Sequence, residues 1–130
     1  MQNSNMRVLL VEDSKILREA IKEMLKDCAR VNIDDHATNR QEAISLLNTK
    51  QYDFMIADIE LAEGNGFDVV KHTLSPDYKF KRPLTLMLTN HAYGYYKSMA
   101  KQLGVKYFYD KSMDFETAIQ TIEEESKNFS

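Results

Sequence analysis

Tryptophan is absent from the 130-residue sequence, cysteine occurs once, proline twice and glycine four times. The single thiol, Cys28, makes no internal disulfide and no cysteine-based zinc site, so nothing points to an oxidising compartment. So little proline and glycine excludes collagen-like and low-complexity linker compositions. No apolar run approaches the roughly 18 residues that would span a bilayer. The start, Met1-Gln2-Asn3-Ser4-Asn5-Met6-Arg7, is polar, and the first apolar run, Val8-Leu9-Leu10-Val11, stops at Glu12, too short for the core of a signal peptide. A basic excess is lacking too: 17 Lys and Arg against 20 Asp and Glu give a net charge of −3, which argues against a nucleic-acid footprint. The expectation is a cytoplasmic protein of one domain, 1–130, with its core over about 6–124. A chain of this size buries about two-thirds of its unfolded surface and needs no staples.

What is present is an alternation of short apolar runs with longer amphipathic stretches. Val8–Val11, Phe54–Ala57, Leu84–Leu88 and Lys106–Tyr109 read as strands, and the half-polar Arg30–His36 reads as an edge strand. Strands apolar on both faces belong in a parallel sheet covered on each side by helices. Between them lie helical stripes: Ile16, Leu17, Ala20, Ile21, Met24 and Leu25; then Ala43, Ile44 and Leu47 behind a start capped by Asn39 with Glu42. Phe67, Val70 and Leu74 form a third stripe, and Ala92, Tyr96, Met99, Ala100 and Leu103 a fourth, ended by Gly104. Phe115, Ala118, Ile119 and Ile122 form the last, before an acidic tail from Glu123. The pattern predicts an α/β fold of five βα units, a doubly wound parallel sheet with right-handed crossovers. Such sheets hold their sites beyond the C-terminal ends of the strands.

The residues at those ends are chemically distinctive. The first strand ends in Glu12-Asp13, the third in Asp58-Ile59-Glu60, the fourth in Thr89-Asn90 and the fifth in Asp110-Lys111-Ser112. In strand order 2-1-3-4-5 the first and third strands are neighbours, so Asp13 and Asp58 face each other. Two like charges about 4 Å apart repel by roughly 4 kcal/mol at an effective dielectric near 20, so the cluster calls for a cation. Oxygen ligands without His or Cys favour a hard ion, Mg²⁺ over Zn²⁺. Lys111 adds a compact positive charge and Thr89 a hydroxyl. Metal, lysine and hydroxyl around one carboxylate suit a phosphoryl group, with the carboxylate as nucleophile giving an acyl phosphate.

This order of residues resembles the receiver domain of two-component response regulators, a resemblance covering about residues 6 to 124. It implies a flavodoxin-like fold, and it implies that Asp58 is the phosphoacceptor, fed by a histidine kinase or histidine phosphotransfer protein. Glu12 and Asp13 resemble the metal-binding acids, with Asp58 and the backbone carbonyl of Glu60 completing the contacts to Mg²⁺. Thr89 resembles the hydroxyl switch residue, Lys111 the phosphoryl-contacting lysine and Phe108 the switch aromatic. Asn65-Gly66 falls at the turn into the third helix. The protein would be a phosphoacceptor that promotes its own phosphorylation and dephosphorylation rather than an enzyme. Its output would be binding of a protein target, through the fourth helix, fifth strand and fifth helix, or onward phosphotransfer; no nucleic-acid or membrane partner is implied.

Three positions depart from the family pattern: Ala62 and Ser112 stand where proline is usual, and Asn90 where a small residue is usual. They bear on loop geometry and kinetics, since no chemical group is lost. Without proline after Lys111, the Lys111–Ser112 bond is expected trans, because a non-proline cis bond costs about 2.5–4 kcal/mol. Two other readings compete. Asp58-Ile59-Glu60 faintly resembles the D-x-D of haloacid-dehalogenase-like Mg²⁺-dependent phosphatases, which place it after the first strand. The chain would otherwise be the receiver fragment of a longer multidomain regulator. Taken singly, Asp13 reads as a helix N-cap and Lys111 as a surface lysine; it is their joint placement that speaks for function. Tyr96 is expected in the core, Tyr93 and Tyr95 at the surface, and the seven methionines as core fillers. His36, His72 and His91 are expected in solvent, with His91 near the site.

Overall fold

The computed structural model describes residues 5–129; the polar start Met1–Ser4 and the terminal Ser130 lie outside the described residues. The alternation of the sequence becomes β1 (Met6–Val11), α1 (Lys15–Leu25), β2 (Val31–Ala37), α2 (Arg40–Thr49), β3 (Phe54–Ala57), α3 (Gly66–Thr73), β4 (Leu84–Thr89), α4 (Gly94–Gln102), β5 (Tyr107–Asp110) and α5 (Phe115–Lys127). The strands form one sheet in the order β2-β1-β3-β4-β5, every pairing parallel. This is the predicted flavodoxin-like, doubly wound arrangement.

Successive side chains of a strand point to opposite faces, and both faces here are covered. Val8 and Leu10 of β1, Phe54 and Ile56 of β3 and Leu86 and Leu88 of β4 pack against Ile21 and Leu25 of α1 and Ala118, Ile119 and Ile122 of α5. On the other face, Leu9, Val11, Met55 and Ala57 meet Ala43 and Leu47 of α2 and Val69 and Val70 of α3. Met87, Ile59 and Phe67 pack with Ala100 of α4. The half-polar β2 lies at the edge and pairs with β1 through a bulge between Val8 and Leu9.

The helix signals are largely met. Asn39 accepts the Glu42 N–H at 2.9 Å, and Glu42 in turn accepts the Thr38 N–H at 2.8 Å. Gly104 follows the C-cap of α4 at φ 78°, a conformation glycine adopts freely. Several apolar assignments need correction. The row of α1 that faces the sheet is Ile21 and Leu25, both buried, with the partly buried Leu17; Ile16 and Met24, one residue before Leu17 and Leu25, are turned towards solvent, with Ile16 83% exposed. Leu74 caps α3 and is exposed, and Met113 in the turn after β5 is exposed too, so Met24 and Met113 are not core fillers.

Gly66 ties the fold to the strand ends. A Cβ placed there would meet the Asp58 carbonyl oxygen at 1.9 Å, and the Gly66 N–H donates to the Ile59 carbonyl at 2.7 Å. α3 therefore starts hard against the backbone that follows β3. Gly94, by contrast, has open space around it. Gly66→Ala should lower stability by about 1–3 kcal/mol through overpacking, and Gly94→Ala should raise it by about 0.4–1 kcal/mol. Urea denaturation of the two variants checks this; an unchanged midpoint for Gly66→Ala would contradict the close approach.

Candidate functional site

β1 and β3 pair up to Val11 and Ala57, so the next residue of each, Glu12 and Asp58, emerges side by side. The Asp58 N–H donates to the Val11 carbonyl at 3.1 Å and the Glu12 N–H to the Ala37 carbonyl at 2.9 Å, which extends the ladder into the site. β4 and β5 end in register at Thr89 and Asp110, and the Lys111 N–H donates to the Thr89 carbonyl at 2.9 Å. Four strand ends thus bring Glu12, Asp13, Asp58, Thr89 and Lys111 to one edge of the sheet.

Lys111 is the centre of the cluster. Its Nζ lies 2.7 Å from Asp58 Oδ2 and 3.0 Å from Glu12 Oε1. The remaining carboxylate oxygens are engaged by backbone: Ile59 N–H donates to Asp58 Oδ1 at 2.7 Å, and Ser14 N–H to Glu12 Oε2 at 3.0 Å. Glu12 and Asp58 are buried, while Asp13 is exposed. Burial raises the pKa of Glu12, against the lowering effects of the Ser14 N–H and of Lys111. Burial also works against the charge on Lys111, but bonding and attraction to Asp58 and then Glu12 outweigh it and hold the ammonium above the ordinary lysine value.

One oxygen from each of Glu12, Asp13 and Asp58 falls within 4.8 Å of the others. An all-carboxylate donor set of that size fits a hard divalent cation. An open cleft of about 460 Å³ lies beside it, bounded by Asp13, Ile59, Glu60, Leu61, Gly64, Asn65 and Tyr96.

Thr89 is buried, and its hydroxyl accepts the His91 N–H at 3.1 Å. It is next to Lys111 in the ladder, yet its side chain is bonded to the β4–α4 loop, not to the acids. The His91 ring reaches across to Glu60, with Nε2 2.8 Å from Oε1, so the loops after β3 and β4 are joined above the site. Phe108 is half-buried against the cluster of Ile59, Phe67, Met87 and Ala100, where Tyr96 also packs, 5.9 Å from the Phe67 ring. Tyr93 and Tyr95 are exposed as expected. His36 is in solvent, whereas His72 is tied by Nε2 to Asn48 Oδ1 at 2.7 Å. No described peptide bond is cis, so Lys111–Ser112 is trans, as expected.

Several positioning residues are not evident from the strand-end pattern. Ser14, not Asp13, caps α1: its hydroxyl accepts the Leu17 N–H at 3.2 Å, which leaves the Asp13 carboxylate free of that duty. Arg18 donates to the Glu12 carbonyl at 2.9 Å and pins the acidic turn. Asp110 Oδ1 accepts the N–H groups of Ser112 and Met113 at 2.7 and 2.9 Å, and Asp114 Oδ2 accepts the Asp110 N–H at 3.0 Å. That carboxylate-capped turn fixes the loop from which Lys111 projects. The Asp-x-x turn chemistry was its one available sequence signal.

Comparison with known proteins agrees with this geometry. The model of the response regulator receiver domain family matches residues 8–123. Chemotaxis protein CheY-3 of Vibrio cholerae is 29% identical over 90 residues, covering 69% of this chain and 68% of that protein. A protein-glutamate methylesterase/protein-glutamine glutaminase of Idiomarina loihiensis is 35% identical over 69 residues, or 53% of this chain, which spans 18% of that protein. In structure, the non-phosphorylated HemR receiver domain of Leptospira biflexa matches with a TM-score of 0.77 at 29% identity, over 92% of this chain and 93% of that one. The strand order, the acid–lysine cluster at the strand ends and a family match over most of the length lead to one conclusion: the chain belongs to the response regulator receiver domain family.

Proposed function

We propose that the protein is a cytoplasmic phospho-aspartate switch. Asp58 accepts a phosphoryl group from a histidine kinase or histidine phosphotransfer protein, and a protein target reads the result. The observation that carries this reading is the Lys111 ammonium, 2.7 Å from Asp58 Oδ2 and 3.0 Å from Glu12 Oε1, at the ends of adjoining parallel strands. Among the described residues no helix is long and apolar enough to cross a membrane.

Asp58 Oδ attacks phosphorus as the donor's phosphorus–nitrogen bond breaks and its electron pair returns to the imidazole. The Ile59 N–H, bonded to Asp58 Oδ1, orients the carboxylate so that one oxygen faces the donor. Lys111 stays with the carboxylate and pairs with an oxygen of the transferred group, so charge is never left uncompensated. Glu12, Asp13, Asp58 and the Glu60 carbonyl would hold Mg²⁺, which when bound neutralises charge on the phosphoryl oxygens. Thr89 then exchanges its bond with the His91 N–H for one to the phosphoryl group, and Phe108 moves into the space it leaves. A two-state equilibrium of the α4–β5–α5 surface is thereby biased.

Incubation with acetyl phosphate and Mg²⁺ should add one phosphoryl group by intact mass, and Asp58→Asn should abolish the gain. A gain that survives Asp58→Asn would remove Asp58 from this role. Asp13→Ala should lose the Mg²⁺ dependence and most of the labelling; unchanged labelling would take Asp13 out of the metal site.

The lifetime of the acyl phosphate depends on water reaching phosphorus in line. Asn90, exposed after β4 and bulkier than the usual small residue, should narrow that path, while the His91 ring is engaged by Glu60 and so less free to orient water. Each effect corresponds to about tenfold in rate, or roughly 1.4 kcal/mol of barrier. Asn90→Ala should therefore shorten the phosphorylated half-life more than His91→Ala changes it, measured as loss of label under Mg²⁺ and under excess chelator. A longer half-life for Asn90→Ala, or a larger effect for His91→Ala, would mean that positioned water governs the lifetime.

A further inference from the structure

β5 is a strand of four residues at the edge of the sheet, and Lys111 is the first residue beyond it. Its Nζ reaches the buried carboxylates of Asp58 and Glu12 from the end of a long, flexible stem. A group of that kind stays in place only if the backbone that bears it is fixed. The segment Asp110-Lys111-Ser112-Met113-Asp114 contains neither proline nor glycine. Ser112 and Met113 are exposed, so packing of their side chains does not hold the turn either.

Hydrogen bonds hold it, and all five consecutive N–H groups of the segment are engaged. The Asp110 N–H donates to Asp114 Oδ2 at 3.0 Å, and the Lys111 N–H to the Thr89 carbonyl at 2.9 Å. The Ser112 and Met113 N–H groups donate to Asp110 Oδ1 at 2.7 and 2.9 Å, and the Asp114 N–H to the Asp110 carbonyl at 2.9 Å. Asp114 is the N-cap residue of α5, yet its side chain makes no cap bond; its carboxylate reaches back to the strand instead. Two carboxylates thus close a ring between the end of β5 and the start of α5, with Lys111 inside it. N–H bonds to carboxylates are about twice as strong as neutral ones, which suits a turn exposed to water.

We propose that Asp110 is a positioning residue for phosphoryl transfer to Asp58, acting through Lys111 with Asp114 as its partner. The proposal rests on the reading of Asp58 as the phosphoacceptor and adds a residue on which the rate depends. The Asp58 oxygens are engaged by Lys111 and by the Ile59 N–H, so Asp110 reaches the reaction by way of the lysine. Misplacing a positioned group by about 1 Å costs on the order of 10²-fold in rate. The bond from the Lys111 N–H to Thr89 does not involve Asp110 and keeps part of the geometry when Asp110 is changed.

The test measures the initial rate of phosphoryl gain on the full chain, by intact mass with acetyl phosphate and Mg²⁺, beside the urea midpoint of each variant. Asp110→Ala should slow the gain about tenfold. Asp110→Asn, whose side-chain oxygen still accepts both N–H groups, should stay within about twofold of the unaltered protein. In a Lys111→Ala background, Asp110→Ala should have no further effect, because the group it positions is gone. A rate for Asp110→Ala equal to that of the unaltered protein would make the turn purely structural and overturn the proposal, whatever the urea midpoint. So would an Asp110→Asn variant as slow as Asp110→Ala, which would assign the effect to charge, or a further loss in the double variant. If Asp110→Ala does not fold, Asp114→Ala is compared with Asp114→Asn: slowing in the first and recovery in the second support the proposal, and equal rates overturn it. Absence of any phosphoryl gain in the unaltered protein would overturn the functional reading together with the proposal, whereas a gain that Asp110→Ala matches overturns the proposal alone.

Discussion

The bridge from Lys111 to Asp58 and Glu12 is the interaction on which the site depends. Parallel pairing of β1 with β3 forces two carboxylates side by side at the edge of a buried sheet. Their side chains are 3% and 7% exposed, so water does little to screen them. One ammonium, 13% exposed, satisfies both. Breaking such a pair from one side typically costs about 3–5 kcal/mol. Asp13, exposed and beside the pair, leaves the cluster short of positive charge. The same arrangement that keeps the fold tolerable therefore leaves a carboxylate group that could hold a further cation.

Around that bridge the backbone does much of the positioning. Ile59 and Ser14 N–H groups take the carboxylate oxygens that Lys111 does not. Gly66 lets α3 begin against the Asp58 carbonyl, which anchors the far end of the loop that carries Glu60. The Asp110 carboxylate gathers the N–H groups of Ser112 and Met113 into a turn. A proline after Lys111 is thus replaced by hydrogen bonding, with the peptide bond trans. Thr89 joins this framework to the exterior, because its hydroxyl holds the loop that starts α4.

The alternation of strands and helices was legible because buried parallel strands are apolar on both faces and amphipathic helices show one stripe. The site was legible for a related reason: a parallel sheet presents its strand ends on one edge, and the acids and lysine follow the strands directly. What could not be read is geometry of less than one helical turn. Ile16 and Met24 belong to the same apolar pattern as Leu17 and Leu25, but the sheet covers only one row of α1. Asp13 and Ser14 are both good capping residues, and only the backbone turn decides that Ser14 caps. Arg18 acts on the Glu12 carbonyl from a helix face that looks like ordinary solvated charge. The Glu60–His91 contact joins residues from different loops, which no local pattern reveals.

The most direct test of the account is chemical location of the acyl phosphate. The protein is treated with acetyl phosphate and Mg²⁺, reduced with borohydride, digested and mapped by mass spectrometry. Borohydride converts an aspartyl phosphate to homoserine, so the account predicts homoserine at position 58 and unmodified Glu12 and Asp13. Reduction at Glu12 or Asp13, or an unmodified position 58 in protein that has gained a phosphoryl group, would contradict it.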